Sequence, residues 1–437
     1  MRKAYAAAAV LVAAVLLFTG CVGPKRGVKR VDIATSYVEA IFNDDYKALS
    51  KFKLTFQMRT ALFTRNEYKK VKDVFIDACG EFNEIVDTVE SEYGTYRIVS
   101  VVGSFSDTYA NINVVFDRSN RISGIHYVYN RTYETLGDAD ELVTFGGNLP
   151  LNGSLSVPES EAPVPAVIIV HGSGPSDRNG AVAGNAVYLD IAKQLYGNGI
   201  AALRYDKRTY EYAYLSQEGY FDEITVWQET IDDVKLAFDF LSNLEDIDKD
   251  RIYILGHSLG GYLMPRIADT IPETAGFIMI APSSSHLEDL ILRQTEYIIG
   301  LDGKMSSEEK KLMEDYIIMA DRIKALKPDS GIEASDLMGI PEEYWLDLQD
   351  YEPVEEMKDE TRPILIIQGG RDYQVDLNEY QAWLEGLEGM ENARFILIDD
   401  LNHMMAAGDG QSTPDEYQNL SEVDNRVGDA ITNFIKD

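Results

Sequence analysis

Apolar positions along the chain fall into three successive rhythms. Residues 33–52 repeat at helical spacing, with Tyr37, Ile41, Ala48, Leu49 and Phe52 among the apolar positions, which predicts an amphipathic helix; a second helical stretch covers about 66–79. Between 95 and 129 the period drops to two. Residues 96–102, 110–116 and 122–129 read as strands, with Asp117-Arg-Ser-Asn-Arg121 as the turn between the last two. Helices followed by a meander predict a small α+β unit over 33–135. From residue 139 a third rhythm takes over. An opening hairpin over 143–158 precedes short apolar runs at 165–170, about 199–205, 251–255, 276–281, 363–367 and 394–398, which alternate with helical stretches. Such alternation predicts an α/β unit over 139–437, with a mainly parallel sheet and helices on both faces. The interval between Pro282 and Pro363 is too long for a simple crossover. Ser306-Ser-Glu-Glu309 offers a capping box, and Leu312, Met313, Tyr316, Ile317, Ala320, Ile323 and Lys324 follow at helical spacing. Residues 286–355 are therefore expected to form a helical cap insertion. Its Tyr297, Met313, Met319, Tyr344 and Trp345 are candidates to line a pocket beneath it.

Candidate chemistry sits where strands end. The run Arg251-Ile-Tyr-Ile-Leu255 leads straight into Gly256-His-Ser-Leu-Gly-Gly261. A serine on a sharp strand-to-helix turn flanked by glycines is the pattern of a nucleophile elbow, which makes Ser258 the candidate nucleophile. A serine hydroxyl needs a base, and the base needs an orienting acid. Of five histidines, only His286 and His403 follow Ser258. His403 lies in a loop just past the strand at 394–398, where an open parallel sheet collects its ligands. His286 opens the insertion and is the weaker candidate. For the acid, Asp372 follows the strand at 363–367 through Gln368-Gly-Gly-Arg, with Asp399, Asp400 and Asp376 as rivals. Acyl transfer also needs donors aimed at the oxyanion. The backbone N–H of Leu259 is one candidate. The other is the N–H of Ser173, with Gly172 or Gly174 as alternatives, in the loop His171-Gly-Ser-Gly-Pro175 after the strand at 165–170.

With these pieces in view the chain resembles an α/β-hydrolase. More narrowly, it resembles a bacterial secreted or lipoprotein serine esterase group with an H-G-S-G-P-x-D-R loop and an R-Y-D-K-R-G segment. Here those read His171-Gly-Ser-Gly-Pro-Ser-Asp-Arg178 and Arg204-Tyr-Asp-Lys-Arg208, the second departing from the pattern at Thr209. Gly370-Arg-Asp372 and Asn402-His403 agree further, so the likeness covers roughly 139–437. It implies that Ser258, Asp372 and His403 form a triad and that Asp206 is structural. The unit at 33–135 resembles the cone-shaped domain of unknown function often found ahead of such esterases. It holds no Ser/His/Asp set and no metal spacing, which leaves a packing role or a glycan- or partner-binding role.

The N-terminus and the charge change the picture of location. Met1-Arg-Lys3 is a positive start, Ala4 to Phe18 is apolar, and Phe18-Thr-Gly-Cys21 resembles a lipobox. Residues 1–21 are thus read as a lipoprotein signal peptide with Cys21 as the lipidation site, and 22–32 as a tether. The expected location is the outer face of the bacterial cytoplasmic membrane, or secretion. Cys79 is then the sole remaining cysteine, so stability rests on cores and not on disulfides. A net charge of −33 repels nucleic acid and argues against polyanionic substrates. The basic stretch Lys25-Arg-Gly-Val-Lys-Arg30 suits anionic headgroups or serves as plain tether. The function expected is a serine carboxylesterase acting on small acyl esters or ester-decorated glycans, with no metal or organic cofactor. The alternatives are a thioesterase or peptidase using the same triad, or a catalytically inactive surface-binding lipoprotein. The sequence leaves oligomeric state open.

Overall fold

The computed structural model describes residues 30–93 and 96–437. Its smaller sheet is an antiparallel meander of β1 (Phe82–Tyr93), β2 (Tyr96–Phe105), β3 (Tyr109–Phe116) and β4 (Ile122–Tyr129), paired in chain order. The helices Arg30–Phe42 and Arg65–Cys79 supply Tyr37, Val38, Ile41 and Phe75 to a core completed by Val99, Ile112 and Val114. The single helix expected over 33–52 is broken. It stops at Phe42, Asp44 adopts a φ of 55°, and Asp45 caps a new turn, Tyr46–Leu49, by accepting the Ala48 N–H at 2.9 Å. Asx side chains at a break offer the backbone an alternative partner to the helix ladder. The helix Arg30–Phe42 includes Arg30, Val31 and Asp32, so these residues of the expected tether are helical. Strand β1 was not anticipated from the chain. It is an edge strand whose side chains face mostly outward, so no apolar alternation marks it. Cys79 is fully buried, and burial pushes its thiol up to about 11, which keeps it protonated and inert.

The larger sheet holds β5 (Glu141–Phe145), β6 (Leu151–Ser156), β7 (Val164–Val170), β8 (Ala201–Tyr205), β9 (Ile247–His257), β10 (Gly276–Ile280), β11 (Ile364–Gly369) and β12 (Ala393–Ile398). Their spatial order is β12-β11-β10-β9-β7-β8-β6-β5. All pairings from β12 to β8 are parallel, and the β5–β6 hairpin joins β8 antiparallel, in agreement with the mainly parallel sheet expected. Strands β7, β8, β10 and β11 are buried on both faces, which is why they read as unbroken apolar runs. The chain moves from β7 outward to β8, then returns to place β9 on the other side of β7. The order therefore reverses there, and the loops leaving β7 and β9 open side by side into a crevice suited to ligands.

The insertion is helical: Leu287–Gly300, Ser307–Lys324, Glu342–Leu348 and Pro353–Met357. The capping box forms, with Ser306 Oγ accepting the Glu309 N–H at 3.2 Å and Glu309 accepting the Ser306 N–H at 2.7 Å. Among the described residues no helix is long and apolar enough to cross a membrane. The expected signal peptide and Cys21 lie outside the described residues. Between the two sheets the chain is pinned and not slack. Arg131, 2 % exposed, donates to both carboxylate oxygens of Asp190, to Glu134 and to the Ser421 carbonyl. Asn179 Nδ2 reaches the carbonyls of Arg131, Thr132 and Glu134, and Arg204 pairs with Asp140 at 2.6 Å.

Candidate active site

The turn after β9 is built by what its glycines leave out. A Cβ on Gly256 would run into the Gly260 carbonyl group, and one on Gly260 would sit 2.8 Å from the carbonyl oxygens of Val170 and His171. Strand, turn and following helix can close this tightly only with hydrogen at both positions. Ser258 stands at the apex with φ 54° and ψ −115°, a backbone strain of the kind concentrated at functional sites. Its N–H is tied to the Ile280 carbonyl at 2.9 Å and its side chain is half-buried. Gly256→Ala is expected to cost about 3 kcal/mol, because the obstructing atoms are backbone and cannot rotate away. Urea unfolding reads it, and an unchanged midpoint would show that the elbow tolerates a methyl group.

Asp372 and His403 lie on the turns after β11 and β12. His403 Nδ1 donates to Asp372 Oδ2 at 2.6 Å, with both side chains buried. The other carboxylate oxygen accepts the N–H groups of Gln374 at 2.8 Å and Val375 at 3.0 Å, while Gln368 Nε2 approaches Oδ2 at 3.3 Å. The acid is thus fixed from four directions. Asn402 shapes the His403 turn by accepting from the Met404 and Ala406 N–H groups at 3.0 and 3.2 Å. With Nδ1 protonated toward Asp372, Nε2 presents a lone pair, the arrangement a general base needs. Among the described residues no hydrogen bond joins Ser258 Oγ to His403; such contacts often close only when substrate binds. The rival acids are occupied elsewhere. Asp376 caps the helix Leu377–Gly386, and Asp400 is paired with Arg426, which holds its carboxyl below the usual range. Asp399 remains in the backbone turn beside Gly370. His286 pairs with Glu352 at 3.1 Å, at the start of the insertion.

His257 occupies the variable position of the Gly-x-Ser motif, to which the sequence attaches no role. Its ring lies 4.7 Å from that of His403, and its Nε2 bonds to the His403 carbonyl at 3.0 Å. A carbonyl only accepts, so that nitrogen carries the hydrogen. Burial, and then the neighbouring His403, pull the His257 pKa down to about 3. It therefore stays neutral beside His403.

The loop after β7 packs on the elbow. A Cβ on Gly172 would lie 3.3 Å from that of Ser258. The Gly172 N–H is spent on the Tyr188 hydroxyl at 2.9 Å, which removes it from the oxyanion donors considered. The Ser173 side is exposed, and among the described residues its N–H has no partner. Leu259 opens the helix Leu259–Tyr262, so its N–H is one of the orphan donors of a helix start. Asp206, read as structural, grips the Arg178 N–H at 2.8 Å and its guanidinium, tying the β8 loop to the β7 loop. Thr209, where the resembled pattern has Gly, sits in the short helix Arg208–Glu211 and reaches Glu229 at 3.4 Å.

A cavity of about 330 Å³ opens between the helix Leu287–Gly300 and the Asp372 loop, walled by Arg293, Tyr297, Arg371, Tyr373, Gln374 and Ser412. It touches Asp372 but not Ser258 or His403, so it lies to the acid side of the reactive atoms. Of the expected pocket residues, Tyr297 is there, stacked on Tyr373 at 4.9 Å. Tyr344 and Trp345 are not. Both are buried in the main core, where Tyr344 bonds to Glu229 and Trp345 to the Leu337 carbonyl. Met313 and Met319 stay half-buried on their helix.

Esterase EstD of Thermotoga maritima is 38 % identical to this chain over 285 residues. The alignment takes in 65 % of this chain, and the chain spans 65 % of the length of that curated relative. Among solved structures, Est1E from Butyrivibrio proteoclasticus shares 19 % identity at a TM-score of 0.43, covering 68 % of this chain and 97 % of its own. An esterase of Pyrococcus furiosus shares 18 % at 0.44, covering 68 % and 91 %. A family model described as Serine aminopeptidase, S33, matches residues 161–409, more than half of the chain, across the strands and turns that carry Ser258, Asp372 and His403. The chain belongs to this serine aminopeptidase S33 family of α/β-hydrolases.

Proposed function

We propose that the protein is a serine carboxylesterase acting on small acyl esters or ester-decorated glycans. Ser258 attacks the ester carbonyl as His403 Nε2 takes its proton. Asp372 holds the Nδ1–H tautomer and stabilises the imidazolium. The N–H groups of Leu259 and Ser173 receive the oxyanion. The alcohol leaves with the proton from His403, an acyl-enzyme remains, and water activated by the same histidine releases the acid. The observation carrying this reading is the 2.6 Å Asp372–His403 bond, buried at the strand ends that open beside Ser258. The naming of the relative EstD as an esterase supports it.

A second reading is favoured by the family's own description as serine aminopeptidases. In that case the same residues cleave an amide after an N-terminal amino acid. On either reading the chain works at the outer face of the cytoplasmic membrane, held by lipid on Cys21, or is secreted; the lipobox-like Phe18-Thr-Gly-Cys21 supports this.

The test uses the full chain in mild detergent. A fluorophosphonate is expected to label it once, at Ser258. p-Nitrophenyl acetate, butyrate and octanoate should be turned over with a chain-length preference and aminoacyl p-nitroanilides should not. Preference for the anilides would transfer the reading to the peptidase. Neither turnover nor labelling would leave the inactive surface-binding lipoprotein standing.

A further inference from the structure

Lys207 is among the most buried charges of the described residues, 1 % exposed, and the proposed triad does not use it. Its Nζ donates to the Gly172 carbonyl at 2.9 Å and pairs with Glu229 at 3.1 Å. The other oxygen of Glu229 accepts from the Tyr344 hydroxyl at 2.9 Å. Glu229 sits on a π-helical turn, Trp227–Ile231, a local widening that recurs at functional sites. Tyr344 belongs to the helix Glu342–Leu348 of the insertion. A continuous buried chain therefore runs from the insertion, through Glu229 and Lys207, to the loop that packs on the nucleophile elbow.

The Gly172 carbonyl and the Ser173 N–H belong to one peptide group. That group is planar and trans, so the two bonds point in opposite directions. Holding the oxygen on one side fixes where the hydrogen points on the other. The preceding peptide is pinned as well, by the Gly172 N–H on Tyr188. An ammonium on the carbonyl also draws electron density from the amide and makes its N–H a stronger donor. We propose that Lys207 is a positioning residue of the oxyanion hole, which acts through the Gly172–Ser173 peptide and is itself held by Glu229 and Tyr344. This rests on the serine-hydrolase reading above. It differs from a lysine that merely neutralises Glu229, because it predicts a loss confined to the tetrahedral state.

Lys207→Met alone would strand the Glu229 carboxylate and endanger folding. The decisive variant is therefore Lys207→Met/Glu229→Gln, which removes both charges and keeps an acceptor for Tyr344. It is compared with the parent in p-nitrophenyl butyrate kinetics, inhibition by an alkyl trifluoromethyl ketone, whose adduct oxygen occupies the hole, and fluorophosphonate labelling. The expected result is a kcat lower by about 10- to 100-fold, somewhat less than deletion of a donor gives. KM should stay within about twofold, ketone affinity should fall in step with kcat/KM, and Ser258 should still label. A folded double variant with parental kcat and ketone affinity would overturn the proposal. So would equal losses with substrate and ketone traced to a raised KM. A parent chain that neither turns over esters nor labels would instead bring down the hydrolase reading, and the proposal with it.

Discussion

Ser258→Ala is expected to lower kcat for p-nitrophenyl butyrate by roughly 10⁴-fold or more while the protein stays folded. The hydroxyl is the atom that bonds to the acyl carbon, so no neighbour substitutes for it. What remains comes from the oxyanion donors and from binding. Folding should be spared because alanine at φ 54° is strained as serine is, and because the Ser258 N–H keeps its bond to the Ile280 carbonyl. Progress curves against buffer, with the melting temperature of both proteins, check the two halves of the statement. Turnover within tenfold of the parent would mean that Ser258 is an ordinary turn residue.

Asp372→Asn should cost about 10⁴-fold in kcat, for a reason that can be traced atom by atom. The N–H groups of Gln374 and Val375 both point at Oδ1, so an amide placed there must keep its oxygen at that position. Its NH₂ then falls where Oδ2 was, facing His403 Nδ1 and Gln368 Nε2. Two donors cannot share a bond, so His403 must offer a lone pair at Nδ1 and carry its hydrogen on Nε2. That is the wrong tautomer for a base facing Ser258. The His257 bond to the His403 carbonyl keeps the backbone of the turn in place, so KM should change much less than kcat. Steady-state kinetics of the variant decide it, and a kcat within tenfold of the parent would remove Asp372 from the orienting role.

How far these features could be read from the chain depends on the range of the interaction behind them. Strands β7, β8, β10 and β11 were legible because burial on both faces writes an apolar run into local sequence. Strand β1 was not, since an edge strand facing solvent carries no such run. The break at Asp44 and Asp45 was obscured because apolar spacing continued on both sides of it. Asp372 and His403 could be sought together because each stands just past a strand end in a parallel sheet. Lys207 falls inside the Arg204–Arg208 segment of the resembled pattern, but nothing in the sequence joins it to Glu229 and Tyr344. They are brought together only by tertiary packing, and a buried tyrosine on an amphipathic helix looks the same in sequence as one that lines a pocket. His257 was hidden differently: its motif position drew attention to the serine beside it.

The joint between the two sheets carries a mechanical meaning. Arg131, Asn179, Asp190, Arg204 and Asp140 are knotted below the surface, and the same segment reaches back through Tyr133 to Asp87 and through Glu134 to Thr108. Units joined by exposed linkers swing relative to each other. Here a swing would have to break the Tyr133–Asp87 and Thr108–Glu134 hydrogen bonds, while Arg131 keeps the segment anchored to Asp190, so the joint is stiffer than an exposed linker. The two units are expected to tumble as one body, and a single rotational correlation time in NMR relaxation would check it.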